Sequence, residues 1–282
     1  MQKRKVAIVT DGACSLSPAQ GDQLGIHIAP IYVNFGEKTF RAGVDLANAE
    51  FYRLLSLSNR LPTTAQPTAS DFVHLYTQLA DEVDEIVTVV TSQHLSTTLH
   101  SAERAREQFH QAPVHIIDSA SVSLGLGMMA IAAAEAAAQG QDAKAIVQLV
   151  DQIKKHIHVL FAINTLDYFH KDGLSGYAIH FPGVALNRKF IISIKNGRSE
   201  LLDRQRTNHR AVTRILELME EKIGDKEVHV AVLYCEVPGE ANQLEQLIRS
   251  RFDCVEFITA DIGPVLGIHT NPGTLGVVFY PD

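Results

Sequence analysis

The run Ile86–Thr91 is apolar or β-branched at every position, with no polar alternation. A strand with one face in water alternates; one without alternation must be covered on both faces, as in a parallel sheet flanked by helices. Val6–Thr10 is a short buried run of the same kind, and Val114–Ile117, with His115 inside it, again reads as a strand. Between and after them lie segments that read as helical: Phe51–Leu57, Asp71–Leu79, Ser96–Phe109 and Ser121–Gln139. Ile26–Phe35 and Lys38–Arg41 flank Gly36-Glu37 and predict a hairpin. The repeated strand–helix alternation predicts an N-terminal α/β domain built on a doubly wound, mostly parallel sheet.

The pattern changes near the middle of the chain. Helix Ala143–Ile157 runs into the strand Val159–Ile163, which places a domain boundary between residues 157 and 158. Domains of 1–157 and 158–282 follow. In the second, Asn196-Gly197 separates Phe190–Ile194 from Leu201–Arg204, and Asn-Gly between β-prone runs is a strong hairpin signal. Helix Ala211–Ile223, strand His229–Tyr234, helix Glu240–Phe252 and strand Val255–Thr259 complete a second α/β domain. Its sheet is expected to be mixed or antiparallel, with helices on one side.

Charge and cysteine content narrow the function classes. A formal net charge of −7 argues against a nucleic-acid surface, which needs a basic stripe. Three widely spaced cysteines give neither a disulfide framework nor a CxxC metal site, and a reducing, cytoplasmic setting fits. The start enters a strand directly and lacks a signal-peptide core. The most membrane-like run, Val122–Ala138, contains Glu135 and is short and alanine-rich, so no stable membrane insertion is expected.

Three places invite chemistry. In Asp261–Tyr280, Gly263, Gly267, Gly273, Gly276, Pro264 and Pro272 surround His269. Such a segment holds one imidazole in place at the mouth of a sheet, or is a plain tight turn between strands. LPTTAQPT offers Thr63, Thr64, Gln66 and Thr68 around a proline-fixed turn. SQHLSTTLHSA offers Ser92, Ser96, Thr97 and Thr98 where a buried strand ends and a helix begins. Ligands of doubly wound sheets bind at the carboxyl ends of strands, and free amides there favour an anion. Hydroxyls with no neighbouring lysine suit a carboxylate or neutral acid better than a phosphate. The alternative is purely local: Ser96 caps its helix and Thr64 stabilises its turn.

Other chemistries have weaker signals. Gly125-Leu126-Gly127-Met128-Met129-Ala130 fits G-x-G-x-x-A, but several residues separate it from the preceding strand and no acidic residue closes a second strand. Cys14 follows a strand, yet there is no nucleophile elbow and no papain-like signature, so it reads as a small, partly buried residue. His94 with His100, and His156 with His158, lack the spacing of a zinc site, and no P-loop is present.

Six segments in order resemble the DegV family: VAIVTDGACSL, PIYVNFGEKTFRAGVDL, LPTTAQPT, SQHLSTTLHSA, VHIIDSASVSLGLG and GPVLGIHTNPG. The resemblance runs from about Val6 to the C-terminus. It implies a two-domain carrier that buries a long-chain fatty acid in an apolar tunnel, with no cofactor and no catalysis of its own. The carrier presents the carboxyl group to a separate fatty acid kinase, related to dihydroxyacetone kinases, which uses ATP to form an acyl phosphate. The family's TSQP matches Thr64-Ala65-Gln66-Pro67 and its LSGT matches Leu95-Ser96-Thr97-Thr98, so Thr64 and Ser96 are the implied head-group hydroxyls. Arg206 and Lys189 match the arginine of VRG and the lysine of KP; with His269 they face the phosphate or the kinase. The terminal segment is implied to face an interdomain site, where a nucleotide-dependent or hydrolytic enzyme would be the rival occupant.

The chain departs from the family pattern at several positions. Ala65 and Gln93 replace serines, Thr97 replaces a glycine, Phe190 replaces a proline, and Lys171–Ser175 stands in place of a GGRI segment. A β-branched Thr97 is expected to narrow the head-group region and restrict the backbone. Leu124–Ala130 is a candidate tunnel border, its glycines leaving room and its methionines adapting. Simple helix packing is the other reading of that stripe.

Overall fold

The structure is a computed structural model that describes residues 4–58, 60–164, 188–270 and 272–282. The chain divides into two compact units, Met1–Lys155 with Gly263–Val265, and His156–Ile262 with Leu266–Asp282. The first unit begins β1 (Arg4–Asp11), α1 (Pro18–Leu24), β2 (Ile26–Ala29), β3 (Tyr32–Phe35), β4 (Lys38–Arg41), α2 (Asn48–Leu57) and β5 (Thr63–Ala65). It continues α3 (Ala69–Leu79), β6 (Val83–Val90), α4 (Thr98–Gln108), β7 (Val114–Asp118), α5 (Leu124–Ala138) and α6 (Ala143–His156).

Strands β2-β1-β6-β7 form a four-stranded, wholly parallel sheet. The order reverses between β1 and β6, the switch point of a doubly wound fold. One face buries Phe72, Tyr76 and Phe109 with Val9, Ile86 and Val90; Tyr76 Oη and Thr88 Oγ1, 3.0 Å apart, satisfy each other there. Helix α5 lies against β1 and is buried almost all round. A Cβ on Gly127 would stand 2.4 Å from the Cys14 carbonyl oxygen, so that glycine admits the backbone of the loop after β1. Close helix packing therefore accounts for Gly127.

The run Ile26–Phe35 is two strands in two sheets. Pro30 lacks the N–H a continuous ladder needs, and the chain leaves β2 there. Strand β3 enters a three-stranded antiparallel sheet, order β4-β3-β5. The hairpin turn falls at Gly36, with φ +61°, as its sequence signal implies. Helix α5 begins at Leu124 rather than at Ser121 because Ala120 and Ser123 hold positive φ, 48° and 60°.

The second unit contains β8 (His158–Ile163), β9 (Lys189–Lys195), β10 (Arg198–Gln205), α7 (Asn208–Ile223), β11 (Val228–Tyr234), α8 (Pro238–Arg251), β12 (Cys254–Asp261), α9 (Pro264–Gly267, its first half grouped with the first unit) and β13 (Leu275–Pro281). Its sheet has the order β10-β9-β8-β13-β11-β12. Strands β11 and β12 are parallel; every other neighbouring pair is antiparallel. The sheet is thus mixed. Helices α7 and α8 are amphipathic and share one core with it: Ile215, Met219, Leu244 and Ile248 pack with Val230, Val232, Val277 and Phe279. Each such fully buried side chain contributes about 1.5–3 kcal/mol.

Candidate functional site

In the first unit the polar groups gather where the parallel strands end. Ser96 lies in the loop from β6 to α4, half-buried. Its hydroxyl accepts from the Thr98 amide at 3.2 Å and is 2.8 Å from the Thr98 hydroxyl. The helix starts two residues later than the sequence pattern suggests. Thr97 occupies the cap without a side-chain bond, and Ser96 stabilises the turn just before it. Thr97 is exposed, with φ −90°, a conformation open to any β-branched residue.

Thr64 sits in β5, opposite Val33 of β3, and not in a proline-fixed turn. Its side chain is half-buried. Strand β3 continues from the carboxyl end of β2 through Pro30 and Ile31, and β5 with Thr64 pairs alongside it, whereas Ser96 lies on the loop leaving the carboxyl end of β6. The turn role falls to Thr68, which caps α3 in a capping box with Asp71. Gln93, in place of a serine, is exposed and donates to the Asp118 carboxylate at 2.8 Å.

The residue that sequence patterns do not single out here is Asp11. It ends β1 fully buried, and its carboxylate accepts from the Ala13 amide at 2.9 Å, the Thr91 amide at 2.7 Å and the Thr91 hydroxyl at 2.8 Å. Burial raises its pKa above the usual carboxylate value, and the three hydrogen bonds oppose that rise. An acid closing a buried strand just before Gly12 was the available signal.

In the second unit Lys189, Arg206 and His269 come from elements that meet at one end of the mixed sheet. Lys189 opens β9 and pairs in register with Gln205, so Arg206 is one residue beyond it. The half-buried Lys189 ammonium donates to the Gly273 carbonyl at 3.1 Å, which ties it to the glycine-rich segment bearing His269. Burial lowers its pKa, and Glu240 partly restores it. Asn164 donates to the Pro272 carbonyl at 2.8 Å, and Gly273, with φ +88°, leaves no room for a Cβ beside Asn164. His269 follows α9, its amide donating to the Leu266 carbonyl at 2.8 Å, with its side chain half-buried. Arg206 is exposed immediately before Thr207, the cap of α7. Phe190, where the family pattern has proline, is buried and pairs with Ile163 and Arg204. The segment Lys171–Ser175 lies outside the described residues.

The rival chemistries meet physical obstacles. Cys14 is completely buried, more so than its sequence suggests, and its thiol is pushed up to about 12 by desolvation, so little thiolate forms near neutrality. The G-x-G-x-x-A match lies wholly inside α5 rather than at a strand-to-helix turn, where a pyrophosphate would need free amides. Among the described residues no group of three or more His, Cys, Asp or Glu is placed to hold a metal, and no helix is long and apolar enough to cross a membrane.

Comparison with known proteins bears on the whole chain. The family model described as "Uncharacterised protein, DegV family" matches residues 5–282. A DegV domain-containing protein of Halalkalibacterium halodurans is 32% identical over 98% of both chains. Among solved structures, a DegV family protein from Thermus thermophilus, described for its fatty acid binding, superposes with a TM-score of 0.90 at 29% identity, covering 99% of this chain and 100% of that one. DegV of Bacillus subtilis, described as a fatty acid binding protein, gives a TM-score of 0.90 at 28% identity with the same coverage.

Proposed function

The chain belongs to the DegV family, and from that premise we propose that it binds a long-chain fatty acid by its carboxyl group and presents that group to a separate kinase. The observation that carries this reading is the whole-length likeness to two proteins described as binding fatty acids. In support, Ser96 lies at the carboxyl end of a parallel sheet, where amides and hydroxyls favour a small acid.

The hydroxyls of Thr64 and Ser96 orient the carboxyl group. Each contributes about 1 kcal/mol, whereas a buried acyl chain contributes about 0.8 kcal/mol per methylene before ordering costs. An apolar tunnel thus supplies most of the affinity and the hydroxyls supply the choice of end. The kinase, of the dihydroxyacetone-kinase type, brings ATP. A carboxylate oxygen attacks the γ-phosphorus, the bond to ADP breaks, and an acyl phosphate remains on the carrier. Arg206, Lys189 and His269 face the phosphate or the kinase; an arginine fork and an ammonium both suit phosphoryl oxygens. On this reading the protein is a cytoplasmic binding subunit without a resident cofactor.

Mass spectrometry of the organic extract from natively purified protein tests the proposal, with denatured and refolded protein as control. A stoichiometric fatty acid in the native sample alone is the expected result. A protein that carries no fatty acid and takes none up when offered it overturns the reading.

A further inference from the structure

Among the buried polar side chains of the described residues, Asp11 alone carries a formal charge. An enclosed carboxylate disfavours folding relative to an apolar side chain of similar size, so its presence calls for a role other than stability. Its hydrogen bonds indicate one. Asp11 closes β1, while Thr91, which gives it both an amide and a hydroxyl bond, follows directly on β6. These two strands are the neighbours at which the order of the parallel sheet reverses. One carboxylate therefore clamps the two loops that open the switch-point crevice.

From Thr91 the chain runs straight to the candidate head-group serine through a turn fixed by its own backbone. The Ser92 amide donates to the Ser121 carbonyl at 2.9 Å, and the amides of Leu95 and Ser96 return to the Ser92 carbonyl at 2.9 and 3.0 Å. The turn sets Ser96 relative to Thr91, and Asp11 sets Thr91 relative to β1. We propose that Asp11 is a positioning residue: through Thr91 it fixes where the Ser96 hydroxyl stands, and so gives the protein its preference for a carboxyl group over another polar head. This inference rests on the fatty-acid reading above.

The test compares palmitic acid with hexadecanol, which has the same chain but one hydroxyl in place of the carboxyl group, by equilibrium dialysis of the full-length protein. Wild type is expected to prefer the acid, and Ser96→Ala to lose about tenfold of that preference. Asp11→Asn and Thr91→Val are expected to lose a similar factor with hexadecanol affinity unchanged, and Thr91→Ser, which keeps the hydroxyl, to retain it. Thr91→Val serves alone if Asp11→Asn does not fold. Wild type that binds neither ligand, or shows no preference, brings down the fatty-acid reading and this inference with it. A preference that falls in Ser96→Ala but survives in Thr91→Val, or a Thr91→Val that weakens both ligands equally, keeps that reading and overturns the role of Asp11.

Discussion

Among the described residues, nine buried polar side chains lie in the first unit, from Thr10 and Asp11 to Ser119, Ser121 and Ser123; the second buries only Thr270 and Thr274. Its cations at the sheet end are exposed, as Arg206 is, or half-buried, as Lys189 is. The contrast follows from strand direction. A parallel sheet delivers every strand end and every helix start to one edge, so unpaired amides and the hydroxyls that satisfy them are enclosed together. An antiparallel neighbour sends its chain back, and a mixed sheet spreads its ends over both edges. On the fatty-acid reading, the groups that would select a small acid lie in the first unit and the exposed cations in the second.

The sharpest way to break the comparison is at two glycines. Gly127→Ala in α5 would drive a Cβ into the backbone at Cys14, and a loss of about 3 kcal/mol is expected in chemical denaturation. Gly276→Ala in β13 meets the Phe161 ring at 2.8 Å, and a ring can turn, so about 1–2 kcal/mol is expected there. A larger loss at Gly276 would show that the second unit is the more tightly specified of the two. A smaller effect is expected from Thr64→Val, which keeps shape and removes the hydroxyl. Fatty-acid affinity should fall about tenfold, with stability within about 0.5 kcal/mol of wild type. Unchanged affinity and unchanged phosphorylation would remove Thr64 from the head-group site.

The smallest effect is in pH dependence. The folded pKa of Lys189 lies below its ordinary 10.5 because burial disfavours the ammonium. In the window between the two values the unfolded chain binds more protons, so this residue's contribution to stability grows as pH rises through it. Thermal melts of Lys189→Met, run toward pH 10.5, should therefore lose stability more steeply than wild type. Parallel slopes would mean that the ammonium is hydrated in the folded protein.

Elements whose local chemistry agrees with their environment were legible. Strand β6 announces itself by the unbroken apolar and β-branched run from Ile86, β7 by Val114, Ile116 and Ile117, and the β3–β4 hairpin by Gly36. Helix α1 was readable in principle: Ser17-Pro18-Ala19-Gln20 is a capping box with proline in the first turn, but the helix has only seven residues. Strand β5 was not legible. Thr63–Ala65 is strand only because β3 offers it a ladder, and its flanking prolines read as turn signals. The same holds at the site. Ser96 and Thr64 could be picked out as hydroxyls near a strand end, but the clamp at Asp11 depends on a partner 80 residues away in sequence, and no local pattern encodes that distance.

Strand β13 lies in the middle of its sheet, bonded to β8 on one side and β11 on the other. During synthesis β8–β10 and β11–β12 therefore stand as two separate fragments, each with an open edge, until residues 275–281 leave the ribosome. The first unit needs little beyond residue 155 and can close much earlier. A nascent chain stalled before residue 275 would carry one finished unit and one with two unpaired strand edges, the species a chaperone would hold and a protease would cut first.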